Sequence, residues 1–261
     1  MTVQDIVQTI EAVAPRPLQE SYDNSGMQVG CLSAEVDSAL LCIDITEAVI
    51  NEAIEAGIKL VISHHPLIFQ GIKSLTGKNY IERAIIKALK HDIVLYSAHT
   101  NLDNAENGVN FAIADKLNLK NVSILEQKPN IGVVAGAGII GSLVEPMGYL
   151  DFLNCLKTTF HCGGIQYSMP LERKIERVAI CGGSAGFLIP QAIAAGADIY
   201  VTGEIKYHDY FGNDEQIMLA NIGHYESEQF TTELIASIIK EKYPAFEIHF
   251  TKVNTNPINY L

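Results

Sequence analysis

The chain has 261 residues, of which 48% are hydrophobic and 18% charged, enough apolar material for a full core and not the composition of a disordered chain. With 18 Lys+Arg against 30 Asp+Glu the formal charge is −12, which argues against nucleic-acid binding over the whole surface. The opening MTVQDIVQTI has no basic and apolar leader pattern, and the most apolar stretch, 131–144, carries four glycines and is too short to span a bilayer, so no membrane segment and a cytoplasmic location are expected.

Residues 39–45 (ALLCIDI) form a short apolar run suited to a buried strand. Thr46 can cap a following helix in which Ala48, Val49, Glu52, Ala53 and Ala56 recur at helical spacing, with Gly57 as the stop. A strand over 58–62, a helix over 80–90, a strand over 93–96 and a helix over 109–117 follow. Strands alternating with helices of this length imply βαβ units and a largely parallel sheet.

The second half repeats the pattern. A shift of 139 residues lays Cys42 on Cys181, Ile50 on Ile189 and AIEAG (53–57) on AIAAG (192–196). A second shift sets IVLYSAH (93–99) against IMLANIGH (217–224), with one extra residue in the later copy. The reading is an internal duplication: an α/β fold of two similar three-layer α/β/α halves with mixed, mainly parallel sheets. The halves are drawn as 1–128 and 129–261, with intertwining left open, because Lys128, Pro129 and Asn130 interrupt the pattern.

The five cysteines form no CxxC pair, and Cys42 and Cys181 sit in apolar runs, so buried structural thiols are expected and neither a zinc ribbon nor a disulfide framework. Gly136-Ala137-Gly138-Ile139-Ile140-Gly141 matches GxGxxG, but no helix opens after it and Pro146 follows, so a glycine-rich strand or bulge is expected instead of a dinucleotide site. The loop from Cys181 to Gly186 (CGGSAG) lies between a strand and an apparent helix; a plain tight turn is expected, with a phosphate-receiving loop as the alternative.

Three strand ends carry the chemistry. His64 and His65 follow the strand ending near 62, His99 and Asp103 follow the strand 93–96, and His224 and Glu228 follow a strand over 217–222, in a chain with only eight histidines. Ligands in open α/β sheets gather at the carboxyl ends of strands. Neighbouring residues at a strand end point to opposite sides, so His64 and His65 are expected to serve two ions more readily than to chelate one. A spacing of four puts each His–carboxylate pair on one face of a helix. Imidazole plus carboxylate suits Zn, Mn, Fe(II), Ni or Co, and five or six such donors exceed one tetrahedral ion but fit a pair sharing a carboxylate. The alternative is hydrogen-bonded histidines at strand ends.

SYDNSGMQVG, ISHHPLIF, SAHTNLD, VAICGGSAGF, GADIYVTGEIKYHDY and GHYESE together resemble the GTP cyclohydrolase 1 type 2 family, the NIF-three-like dinuclear-metal proteins, over almost the whole chain. The resemblance implies two divalent ions per chain, His64 and His224 on one, His65 and Asp103 on the other, and Glu228 bridging. It also implies self-association as a homohexameric ring with the metal sites inside, and a catalytic part for Glu228 and His208. Tyr22 stands where many relatives have Trp, and Ile139 where an Arg is common. His208 is otherwise read as a surface residue at a helix start, His99 as orienting Asp103 or a water, and Asp23 and Asn24 as fixing a turn.

The expected activity is metal-dependent hydrolysis of a nucleotide or phosphorylated small molecule, in a purine nucleotide beginning with hydration at C8 of the imidazole ring. A non-catalytic metal-binding or metal-delivery protein and a ring-shaped scaffold are the alternatives. Nucleic acid is not an expected partner.

Overall fold

The computed structural model describes residues 1–129, 132–213 and 215–261. In chain order the first elements are α1 (Val3–Val13), β1 (Gly26–Val29), β2 (Ser38–Cys42), α2 (Glu47–Ala56), β3 (Leu60–Ser63), α3 (Tyr80–Lys90), β4 (Val94–Ser97) and the short α4 (Thr100–Asp103). There follow α5 (Val109–Lys116), β5 (Lys120–Gln127), β6 (Gly136–Met147), α6 (Tyr149–Thr159), β7 (Gln166–Tyr167), β8 (Ile175–Cys181), α7 (Ile189–Ala194), β9 (Ile199–Thr202), β10 (Met218–Asn221) and α8 (His224–Glu228). The chain ends with α9 (Thr231–Lys242) and β11 (Glu247–Phe250).

Local chemistry sets these elements. The Thr46 hydroxyl accepts from Val49 N at the start of α2, and Gly57 closes that helix at φ 72° in the left-handed region. Asn79 caps α3 in the same way. Helix α3 occupies the range the periodicity predicts, while β2 stops at Cys42, short of the expected end at 45.

The chain divides into two compact units, 1–102 with 230–256, and 103–229 with 257–261. The passage out of the first unit thus lies at Leu102 and not at the expected interruption over 127–130, of which Asn130 is outside the described residues. The interruption falls instead between β5 and β6, which pair antiparallel.

In the first unit the sheet order is β1-β4-β3-β2-β11, parallel except for β1 against β4. Leu40, Cys42, Val61 and Leu95 pack with Val49, Ile50 and Ala53 of α2 and Ala84, Ile85 and Ala88 of α3. The alternate residues Leu41, Leu60, Ile62 and Tyr96 are buried as well; α9 lies on β2, and α1 on α9. That makes three layers, with the strands buried on both faces as in parallel sheets generally.

The second unit has the order β5-β6-β8-β9-β10-β7. Its β8, β9 and β10 run parallel, and the pairings β5–β6, β6–β8 and β10–β7 are antiparallel, so this sheet is mixed and less parallel than the first. Leu188, just before α7, and Ile189 and Ala192 on it cover one face, and α5 contacts β6 and β8. The duplication is visible in register: Cys42 pairs with Ser63 in one unit and Cys181 with Thr202 in the other, each pair closing its parallel ladder. The GxGxxG segment lies in β6, as a glycine-rich strand; a Cβ on Gly136 would overlap the carbonyl of Glu126.

Candidate metal centre

In the first unit three histidines meet at the carboxyl ends of β3 and β4. His64 is fully buried, and its Nδ1 donates to the Ala98 carbonyl at 2.9 Å. His65 Nδ1 lies 2.8 Å from Asp44 Oδ1, and His99 Nδ1 lies 2.8 Å from Asp23 Oδ1. The ring centroids are 4.9 Å apart for His64 and His65, 5.2 Å for His64 and His99, and 5.3 Å for His65 and His99. The expected divergence of His64 and His65 is therefore absent. Strand β3 ends at Ser63, so the alternation of a pleated strand no longer applies to the two residues after it.

Asp23 holds more than a turn. Its carboxylate accepts from the amides of Asn24 and Thr100 and from the hydroxyls of Ser25 and Thr100, in addition to His99. Burial raises its pKa, but hydrogen bonds from His99, Thr100 and Ser25 and the charge of His99 outweigh burial and hold the carboxyl well below its ordinary value. Asp44 is lowered against burial in the same manner by His65 and Thr255. Asn24 donates its side-chain amide to the Ile68 carbonyl, fixing the loop that follows the histidine pair.

In the second unit α8 places His224 and Glu228 on one face, as a spacing of four requires, with Nε2 3.1 Å from Oε2. The other ring nitrogen of His224 lies 2.8 Å from Glu204 Oε1. A carboxylate oxygen of Asp103 is within 4.8 Å of one of Glu228. The Cys181 thiol reports the two carboxylates: its pKa is pushed up, first by burial and then by the negative charges of Asp103 and Glu228.

The CGGSAG loop makes room for Glu228. Gly183 has φ +67°, and a Cβ there would overlap Glu228 Oε1. The amide of Gly182 donates to Asn110 Oδ1 and that of Gly183 to the Ser227 hydroxyl, both at 3.0 Å. Both glycine amides are thus committed within the protein, which favours the tight turn over the phosphate loop. His208 lies on the exposed turn Tyr207–Tyr210, its ring against Tyr207 and Phe211.

His64, His65 and His99 in the first unit and His224 in the second each give Nδ1 to a carbonyl or carboxylate oxygen. Such oxygens only accept, so each Nδ1 carries a proton, the arrangement found behind metal-bound histidines. Both units carry histidine or carboxylate groups able to bind a divalent metal. Sequence reasoning missed the orienting residues Asp44 and Glu204. One signal for Glu204 was available: the 139-residue shift sets it on His65.

The sequence model of the family described as Duf34/NIF3 (NGG1p interacting factor 3) matches residues 1–257. A Clostridium perfringens protein named GTP cyclohydrolase 1 type 2 homolog is 33% identical over 265 aligned residues that cover 100% of both chains. A Streptococcus pneumoniae protein of the same name is 32% identical over 270 aligned residues, again covering 100% of both. Among solved structures, a Bacillus cereus protein related to NIF3 has TM-score 0.92 at 24% identity, covering 100% of this chain and 99% of the other, a likeness of fold. A Staphylococcus aureus protein has TM-score 0.90 at 29% identity with the same coverage.

Proposed function

Because the chain belongs to the DUF34/NIF3 family, we propose that it is a dinuclear-metal protein and a hydrolase acting on a nucleotide or phosphorylated small molecule. His64 and His224 would hold one ion and His65 and Asp103 the other, with Glu228 the carboxylate that would serve both. The observation that carries this reading is the uniform Nδ1 anchoring of these histidines, which directs Nε2 away from each anchor. Imidazole and carboxylate donors without thiolate suit Zn, Mn, Fe, Ni or Co. When bound, such ions supply Lewis acidity and acidify a nearby water.

The chain's own residues do the rest. Asp44 and Glu204 fix the ring orientation of His65 and His224 and make the rings stronger donors. Glu228, 3% exposed, offers a carboxylate with little competing hydration. His208 is the proton carrier of this reading; it is solvent-exposed and lies four residues beyond Glu204. The name shared by the relatives, GTP cyclohydrolase 1 type 2 homolog, points to a purine nucleotide as the substrate to try first. Self-association into a homohexameric ring belongs to the same reading.

The test is metal analysis of the purified protein followed by release assays on GTP and a panel of phosphoesters. Two ions per chain are expected, with turnover abolished by chelator and by Glu228→Ala, and reduced by His208→Gln at unchanged metal content. A fully loaded protein that turns over none of these substrates and passes its ions to an acceptor would replace hydrolysis with metal delivery. Light scattering on the same sample checks the hexamer.

A further inference from the structure

Helix α8 has five residues, far fewer than the roughly 12–15 at which a helix in water begins to hold by itself. Its orientation is therefore set by what its faces are fastened to. His224 and Glu228 share one face, and Glu226, two residues from each, points to the other. Glu226 is 5% exposed and has no part in the function proposed above. The Tyr260 hydroxyl donates to its carboxylate. The ring of Tyr260 lies over Gly163, where a Cβ would overlap its Cδ2, and next to Gly164. A Cβ on Gly223, at φ +97°, would overlap Glu226 Oε2 and stand 3.1 Å from the Tyr260 hydroxyl. Glycines from two separate loops thus leave the space that the Tyr–Glu pair fills. The charge of Glu226 is felt there: after burial, it is the next cause that pushes the Tyr260 phenol above its ordinary value and the buried Cys162 thiol up to about 12. Gln229, just past α8, donates its side-chain amide to the Phe160 carbonyl at 2.8 Å, a second fastening to the same loop. All of these residues belong to the second unit.

We infer that Tyr260 is a positioning residue: through Glu226 it fixes the rotation of α8, and with it the direction in which His224 and Glu228 present their donor atoms. The inference rests on the reading of His224 and Glu228 as metal ligands and adds a residue distant from both in sequence. Packing alone would need only the ring of Tyr260 on Gly163; the hydroxyl bond to a buried acid on the far face of α8 is what ties the helix down.

The experiment compares the full chain with Tyr260→Phe, which keeps the ring and removes the hydroxyl, with Glu226→Ala, with Glu226→Gln and with the double variant Tyr260→Phe, Glu226→Ala. Each is titrated with Co²⁺ and followed by visible absorption, with thermal unfolding alongside. Tyr260→Phe is expected to weaken Co²⁺ binding roughly tenfold and to alter the Co²⁺ spectrum, with Tm lowered by only about 2–4 °C. Glu226→Ala should lose at least as much, and the double variant no more than Glu226→Ala alone, because the hydroxyl acts through that acid. Glu226→Gln, which keeps an acceptor oxygen, should stay within about threefold of the parent. Parent affinity and spectrum in Tyr260→Phe, or losses that multiply in the double variant, overturn the inference. Hydrogen exchange gives a readout that needs no metal: Tyr260→Phe should speed exchange over 224–229 roughly fivefold or more and leave α9 unchanged. Unchanged exchange over 224–229 also overturns the inference. A parent chain that binds no metal sinks the ligand reading, and the exchange result then decides whether Tyr260 holds α8.

Discussion

At the scale of single residues, Glu228 owes its position to the absence of side chains opposite it. Gly182 lies against its Cγ and Gly183 against its Oε1, and Gly183 is also in the left-handed region at φ +67°. Gly183→Ala is therefore expected to displace the carboxylate and lower metal affinity roughly tenfold or more, as loss of a supporting contact at a metal site does. The backbone strain adds about 1 kcal/mol of destabilisation. Metal titration and thermal unfolding of the variant measure the two effects separately. The histidines and acids of the candidate site were legible because they cluster at strand ends with a spacing of four, and because their motifs are those of the family. That Asp23 and Asp44 face imidazoles was not, since a lone acid in a turn looks the same whether it faces solvent or a ring nitrogen. The approach of His64 to His65 was hidden for another reason: it depends on where β3 stops, and residue pattern locates strand ends poorly.

At the scale of elements, capping decides where helices begin. Thr46→Ala removes the acceptor for Val49 N and is expected to destabilise the protein by about 1 kcal/mol, read from denaturant unfolding with an unchanged m-value. The loop before α3 depends on Glu82, whose carboxylate accepts from the amides of Thr76, Gly77 and Lys78. The Thr76 amide, ahead of the other donors, draws the Glu82 pKa from 4.5 down to about 2. A lowered folded-state value means the stabilisation is present above pH 4.5 and is lost as the pH falls toward 2. Glu82→Gln should thus lower Tm at pH 7, with the gap to the parent narrowing below pH 4.5; a gap independent of pH would show the carboxylate charge to be irrelevant. The helices and the parallel triplets β2-β3-β4 and β8-β9-β10 were readable from periodicity and from the repeat. The antiparallel pairings of β5, β6 and β7 were not, because an apolar run reports burial and carries no strand direction.

At the scale of the molecule, the first unit takes its last helix and strand from the end of the chain. Helix α9 buries Ile235, Ile238 and Ile239, and β11 pairs with β2 along four residues. Fully burying an isoleucine is worth about 1.5–3 kcal/mol, so these three rival the 5–15 kcal/mol by which domains are typically stable. A chain truncated after Gln229 is expected to lose cooperative unfolding and, with β2 bared as an edge, to aggregate; size-exclusion chromatography checks this. No helix among the described residues is long and apolar enough to cross a membrane. The threading of the chain also bears on biosynthesis. Residues 1–102 leave the ribosome first yet must wait for 230–256, which emerge only after the bulk of the other unit. At translation speeds of roughly 5–20 residues per second that delay is on the order of ten seconds, during which β2 has no neighbour on one side.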